Sequence, residues 1–186
     1  MTKIVGISGS LRKGSLNSAL LREAAQLMPE GATLEIFSIE GIPLYHGDEE
    51  TAHGLPPAVT ALKDALVGAD GVLLVSPEYN NGIPGVFKNA IDWASRPADD
   101  IGRVFGGRPF AVIGASPGSF GTILAQDAWL PVLRTLGTKM WFGGRLMASR
   151  APGLFDENGR LSDESTRKRL KGFLAGFVGF VRETPD

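Results

Sequence analysis

The 186-residue sequence contains no cysteine, which excludes disulfide staples, thiolate nucleophiles and thiolate metal sites together. Histidine is nearly as scarce. His46 and His53 are the only imidazoles, and they flank an acidic HGDEE stretch without the i, i+4 ligand spacing of a helical metal site, so a solvated loop is expected there. Neither sign of charge dominates: nineteen basic against twenty acidic side chains leave a net charge of −1, giving no overall field for steering onto nucleic acid or an anionic membrane. No run of about 18 apolar residues is present, and the opening MTKIVGISGS reads as a strand rather than as a signal-peptide core, which gives the expectation of a cytoplasmic protein. The common nucleotide loops are missing too. There is no G-x-G-x-x-G, and although Gly9 and Gly14 have Walker spacing, Ser15 stands where the phosphate-binding lysine belongs.

What is present is an ordinary soluble composition, 43% hydrophobic and 21% charged, in a chain long enough for one domain that buries about 70% of its unfolded surface. Strand and helix signals alternate along it. Strands are expected at 3–8, 33–38, 70–76, 108–115 and 138–142, from short apolar or alternating runs. Helices are expected at 16–28, stopped by Pro29, and at 57–68 and 84–95, each opening on proline. A further helix lies within 122–136, bent or started by Pro131, and a last one follows Ser162 as N-cap, with residues 150–161 as loop. Five strands separated by helices point to a doubly wound parallel α/β sheet covered on both faces, in a single domain. Ligands of such sheets sit beyond the carboxyl ends of the strands.

Three loops at that edge carry unusual chemistry. The first, SGSLRKGSLN (8–17), gathers Ser10, Arg12, Lys13, Ser15 and Asn17 around a helix start, where free N–H groups and the helix dipole favour an anion. Capping by Ser15 explains some of these residues but not Arg12 and Lys13; the set suits one terminal phosphate. The second, SPEYNNGIPG (76–85), is over-specified for a turn. Pro77 and Pro84 stiffen it, Gly82 and Gly85 let backbone approach, Tyr79 offers a ring face, and Asn80 both donates and accepts, as a planar ligand requires. The third, GASPG (114–118), matches the nucleophile elbow of α/β-hydrolases. Pro117 cannot lend the oxyanion hole an N–H and both histidines precede Ser116, so a serine hydrolase is a remote alternative.

Together, SGSLRKGSLN, SPEYNNGIPGVFKNAIDWASRP and GASPGSFGT resemble the NADPH-dependent FMN reductase family, flavodoxin-like flavoproteins that include chromate and quinone reductases; the resemblance runs from residue 3 to about residue 142. It implies a flavodoxin-like three-layer sandwich with a five-stranded parallel sheet in the order 2-1-3-4-5, and FMN at the switch point between strands 1 and 3. It further implies that Ser10, Arg12, Ser15 and Asn17 hold the FMN phosphate, that Pro77, Glu78, Tyr79 and Asn80 line the isoalloxazine, and that Ser116 and Gly118 close its other edge. The activity implied is hydride transfer from NADPH or NADH to FMN, then electron delivery to a quinone, flavin, azo compound or metal oxyanion, in a homodimer or homotetramer. Many members carry His or Tyr, then Ser, where this chain has Asn81 and Gly82, a difference that bears on substrate choice. A flavodoxin-like electron carrier without NAD(P)H turnover is the competing reading, although the balanced charge gives little for docking on a protein partner. Trp93, Trp129, Trp141 and Phe142 read as core or helix-packing residues, and Gly172 with Gly176 as a place of close approach to the sheet or a subunit.

Overall fold

Apolar strands and amphipathic helices alternate from β1 (Thr2–Ser8) to α7 (Glu164–Glu183) in the computed structural model, which describes residues 1–184. The other strands are β2 (Ala32–Phe37), β3 (Gly71–Val75), β4 (Pro109–Ala115), β5 (Lys139–Met140) and β6 (Met147–Ala148). Between them run α1 (Leu16–Gln26), α2 (Gly47–His53), α3 (Pro57–Val67), α4 (Gly85–Ala94), α5 (Ile101–Val104) and α6 (Ile123–Thr135). All pairings are parallel, in the order β2-β1-β3-β4-β5 with β6 also on β4, so the expected order holds and one short strand is added.

Side chains alternate across the central strands and so divide the core in two. Leu73 and Val75 of β3 and Ala111 and Ile113 of β4 pack with α1 and α7 through Leu20, Phe173 and Phe177. Val72 and Leu74 face the other way, onto Leu62 of α3, Phe87 and Ile91 of α4 and Trp129 of α6. All of β3 is buried, whereas edge strand β2 alternates between half-buried and exposed. This is why the sequence of β3 is continuously apolar and that of β2 is not.

Several boundaries differ from expectation for identifiable reasons. The last helix is capped by Asp163 rather than Ser162: the Thr166 N–H donates to the Asp163 carboxylate at 2.7 Å, while the Ser162 hydroxyl donates to the Leu154 carbonyl. The Thr166 hydroxyl first and its backbone N–H second hold the Asp163 carboxyl below its ordinary value. Pro84 is the N-cap of α4 rather than its first helical residue, while α6 lies within its expected bounds with Pro131 inside it, the first of the two placements expected. The HGDEE stretch forms the first turn of α2, where the His46 ring accepts from the Asp48 N–H and caps the helix, and His53 lies 3.6 Å from Glu49.

The fifth strand is two residues long, not five. The Trp141 N–H still donates to the Phe110 carbonyl, but the chain then leaves β4 and returns as β6 at Gly114 and Ala115. Trp141 causes the detour by folding over Gly143 and Gly144, where a Cβ would lie 2.6 and 2.9 Å from its ring. The same ring packs edge-on against Phe173 at 4.7 Å and requires Gly176, whose Cβ would meet it at 2.7 Å. Gly172 faces open space, so only one glycine of that pair serves close packing, and it does so against Trp141. Trp93 and Trp129 are core residues as expected, but Phe142 is 70% exposed.

Candidate functional site

Parallel register places the three singled-out loops side by side. Ser8 pairs with Val75 and Val75 with Ile113, so β1 and β3 end level and β4 runs two residues further, to Ala115. Backbone bonds continue past the strand ends: the Gly9 N–H donates to the Val75 carbonyl and the Ser76 N–H to the Ile113 carbonyl. Two glycines permit this closeness. A Cβ on Gly9 would lie 2.2 Å from the Phe87 ring, and one on Gly114 would lie 2.2 Å from the Ser76 carbonyl and 2.3 Å from the Thr122 hydroxyl.

In the loop after β1, Ser15 is the N-cap of α1 and its hydroxyl accepts the Ser18 N–H at 3.2 Å. Among the described residues, the N–H groups of Leu16 and Asn17 have no protein acceptor, and no acidic side chain occupies the first turn. The start of α1 therefore presents donors and partial positive charge with no acidic side chain to oppose them. Ser10 accepts the Arg12 N–H at 3.3 Å, which folds the loop back, and exposed Arg12 donates once, to the Gly14 carbonyl at 2.9 Å, keeping most of its five N–H groups free. Ser10, Arg12 and Ser15 are thus gathered at one helix end. Asn17 is turned inward: buried, it donates to the Ala115 carbonyl and accepts the Ala115 N–H, both at 2.8 Å, which leaves one amide N–H for a ligand. That double bond pins the cradle to the end of β4.

The loop after β3 has a fixed base and a projecting tip. Buried Ser76 accepts from the Trp129 indole at 3.0 Å and donates to the Pro77 carbonyl at 2.9 Å. Glu78 accepts the N–H groups of Leu124 and Ala125, at 2.8 and 3.0 Å, with one carboxylate oxygen. Beyond it, Tyr79 and Gly82 exchange backbone bonds at 3.1 Å, with Asn80 and Asn81 both left-handed (φ 49° and 63°). Two consecutive left-handed residues make a type I′ turn, which asparagine adopts more readily than most residues. The Asn-Asn pair is therefore explained by backbone geometry, and Tyr79, 51% exposed, presents its ring on the tip.

After β4, the Ser116 hydroxyl accepts the Gly118 N–H at 3.0 Å, while its backbone is strapped to Ala148 and Ala151. The Arg150 N–H donates to the Gly118 carbonyl at 3.0 Å, with Arg150 itself left-handed (φ 48°). Among the described residues no imidazole is bonded to Ser116: the His46 ring accepts from the Asp48 N–H and His53 lies beside Glu49, so Ser116 has no activating base.

Beside the platform, the segment before α2 is bound to α4. The Pro43 carbonyl accepts from Asn89 and Trp93 at 2.8 Å each, and Glu50 accepts from Arg96 and from the Tyr45 hydroxyl at 2.9 Å. Desolvation pushes the Glu50 carboxyl up, but the hydrogen bonds from Arg96 and Tyr45 outweigh it and leave the group below its ordinary value. Sequence reasoning missed the clamps on the platform, Trp129 to Ser76 and Glu78 to α6, and the strap at Arg150. Glu78 and Trp129 were visible as residues, but their partners lie 46 and 53 positions away, where periodicity is silent.

The donors and shapes fit FMN: a cradle of free N–H groups, hydroxyls and one guanidinium for a phosphate, next to a stiff loop with an aromatic tip for a flat ring. Comparison with known proteins agrees. The family model for NADPH-dependent FMN reductase matches residues 2–153, somewhat further than the motifs alone reach. An NAD(P)H-dependent FMN reductase of Pseudomonas aeruginosa is 44% identical over 180 residues, covering 97% of this chain and 95% of that protein. A 2-hydroxy-1,4-benzoquinone reductase of a Burkholderia species is 38% identical over 181 residues, 97% of each chain. Among solved structures, the flavoenzyme NAD(P)H:(acceptor) oxidoreductase of Paracoccus denitrificans superposes with a TM-score of 0.88 at 35% identity over 99% of both chains. Site chemistry, sheet order and kinship over nearly the whole length coincide, and the chain belongs to the NADPH-dependent FMN reductase family.

Proposed function

We propose that this chain is an FMN-dependent NAD(P)H oxidoreductase whose flavin lies across the ends of β1, β3 and β4 and whose acceptor is a small molecule of the quinone class. The observation that carries this reading is the adjacency of the α1 donor end to the Tyr79–Gly82 turn, an anion cradle and a flat platform fixed by the same sheet register. FMN, when bound, supplies the chemistry by taking a hydride from the nicotinamide and giving electrons to the acceptor. Arg12, Ser10, Ser15 and the free N–H groups of Leu16 and Asn17 bind the phosphate; Asn17 chiefly holds the cradle against β4. Pro77, Tyr79, Asn80 and the backbone of Glu78, whose side chain is turned to α6, form one wall of the ring slot, and Ser116 and Gly118 form the opposite edge. Hydride transfer needs no side-chain acid or base, so the work of these residues is orientation and exclusion of water.

The reading extends to NADPH or NADH as reductant and to a cytoplasmic homodimer or homotetramer, for which exposed Phe120 and Phe142 offer apolar contact area. Among the described residues, no helix is long and apolar enough to cross a membrane. The test of the phosphate cradle is Arg12→Ala titrated with FMN and, separately, with riboflavin. Loss of a charge-assisted bond of about 1.5–3 kcal/mol should weaken FMN roughly 10- to 150-fold and leave riboflavin unchanged. Equal affinity of wild type and variant for FMN would remove Arg12 from the site.

A further inference from the structure

Helix α6 begins without a cap of its own. Thr122 occupies the N-cap position, but its hydroxyl accepts from the Gln126 side chain at 3.0 Å and makes no bond to the helix N–H groups. In a helix of 13 residues the second and third N–H groups, of Leu124 and Ala125, are then left for an outside acceptor. The one they find is Glu78, which stands 46 residues earlier on the platform loop and reaches them at 2.8 and 3.0 Å. A second tie runs in parallel from the middle of the same helix, from the Trp129 indole to the Ser76 hydroxyl.

The two ties bracket Pro77. The platform base is therefore referenced to α6 at two points two residues apart, whereas the hydrogen bonds of the Tyr79–Gly82 tip beyond it, among the described residues, are internal backbone bonds. We propose that Glu78 is a positioning residue: its side chain does not face the flavin but spans from the platform to α6 and sets the distance between the loop after β3 and the loop that ends at Thr122. The residue type follows from that job. An acceptor oxygen must reach two adjacent N–H groups across a gap, and a carboxylate does this with charge complementary to the helix start. Glutamine keeps the acceptor and the length, aspartate keeps the charge but is one methylene short, and alanine keeps neither.

This inference rests on the FMN reading, and the experiment separates the two. Apoprotein of the wild type, Glu78→Gln, Glu78→Asp and Glu78→Ala is titrated with FMN at a temperature where circular dichroism shows each variant folded, and the bound flavin's visible spectrum is recorded. The expected result is a dissociation constant within about threefold of wild type for Glu78→Gln, with an unchanged spectrum. Glu78→Asp and Glu78→Ala should weaken FMN at least tenfold and shift or blur its bands, and they should weaken riboflavin in the same proportion, because the gap rather than the phosphate is disturbed. Should Glu78→Ala fail to fold, the Gln and Asp pair decides alone. Wild-type affinity in Glu78→Asp would overturn the role, as would a Glu78→Gln loss equal to that of Glu78→Ala, which would mean that the charge acts directly on the ligand. Absence of FMN binding by the wild type would instead remove the underlying functional reading.

Discussion

Adding one methyl group at Gly114 should disturb the site from beneath. An ideal Cβ there would sit 2.2 Å from the Ser76 carbonyl oxygen and 2.3 Å from the Thr122 hydroxyl, where ordinary contact begins at 3.4 Å. Both obstacles are fully buried, and neither is the free end of a long side chain. Ser76 carries the platform and Thr122 opens α6, so Gly114→Ala must spread the two by about 1 Å or bend β4. Overpacking of this kind costs about 1–3 kcal/mol, and two rigid neighbours place it near the upper end. With a urea dependence of about 2 kcal/mol per M, the unfolding midpoint of the apoprotein should fall by roughly 1.5 M. FMN affinity should fall as well, because the displaced residues anchor the platform. Gly85→Ala is the control, since nothing lies within 4 Å of that position, and it should change stability by no more than about 0.5 kcal/mol. An unchanged midpoint and unchanged FMN affinity in Gly114→Ala would refute the claim that the loops are held at contact distance by this glycine.

The paired glycines of α7 should respond oppositely: Gly172→Ala, facing open space inside a helix, should stabilise by roughly 0.5–1 kcal/mol, while Gly176→Ala should destabilise by pressing on Trp141, both read by chemical denaturation. Acid stability should depend on Asp100, whose carboxyl Arg103 and then Lys63 hold well below the ordinary range through hydrogen bonds at 2.5 and 2.6 Å. Its folded pKa lies under the unfolded value of about 3.9, so its contribution is complete above that value and is lost as the pH falls toward the folded pKa. The Tm of wild type should therefore exceed that of Asp100→Asn at neutral pH, with the gap starting to narrow only below about pH 4 and continuing to shrink as the pH falls toward the folded pKa; a gap independent of pH would mean that the ionised form contributes nothing.

The sheet was legible because its signals are local. Continuous apolar runs at β3 and β4 and the helical stripe of α7 are properties of neighbouring residues, and they set the layers without reference to the rest of the chain. The loops at 8–17 and 76–85 stood out for the same reason, as unusual residue types packed into single loops. What was hidden depends on partners distant in sequence. Asn17 reads as a phosphate ligand until Ala115 is seen to take both ends of its amide, and Glu78 reads as a ring contact until the start of α6 is seen to need a cap. The early end of β5 likewise comes from Trp141 folding onto two glycines and α7, a tertiary preference that overrides a good strand pattern. Asn81 moved in the opposite direction: an apparent mark of substrate choice has a sufficient cause in the left-handed backbone of its turn.

The central claim, that this scaffold turns over NAD(P)H through FMN rather than merely carrying electrons, is tested most directly by loading the protein with FMN and adding NADPH, then NADH, without oxygen. The visible flavin absorbance should bleach with at least one of the two and return when a benzoquinone is added. A protein that binds FMN but keeps it oxidised in the presence of excess NADPH and NADH would contradict the account and leave an electron carrier in its place.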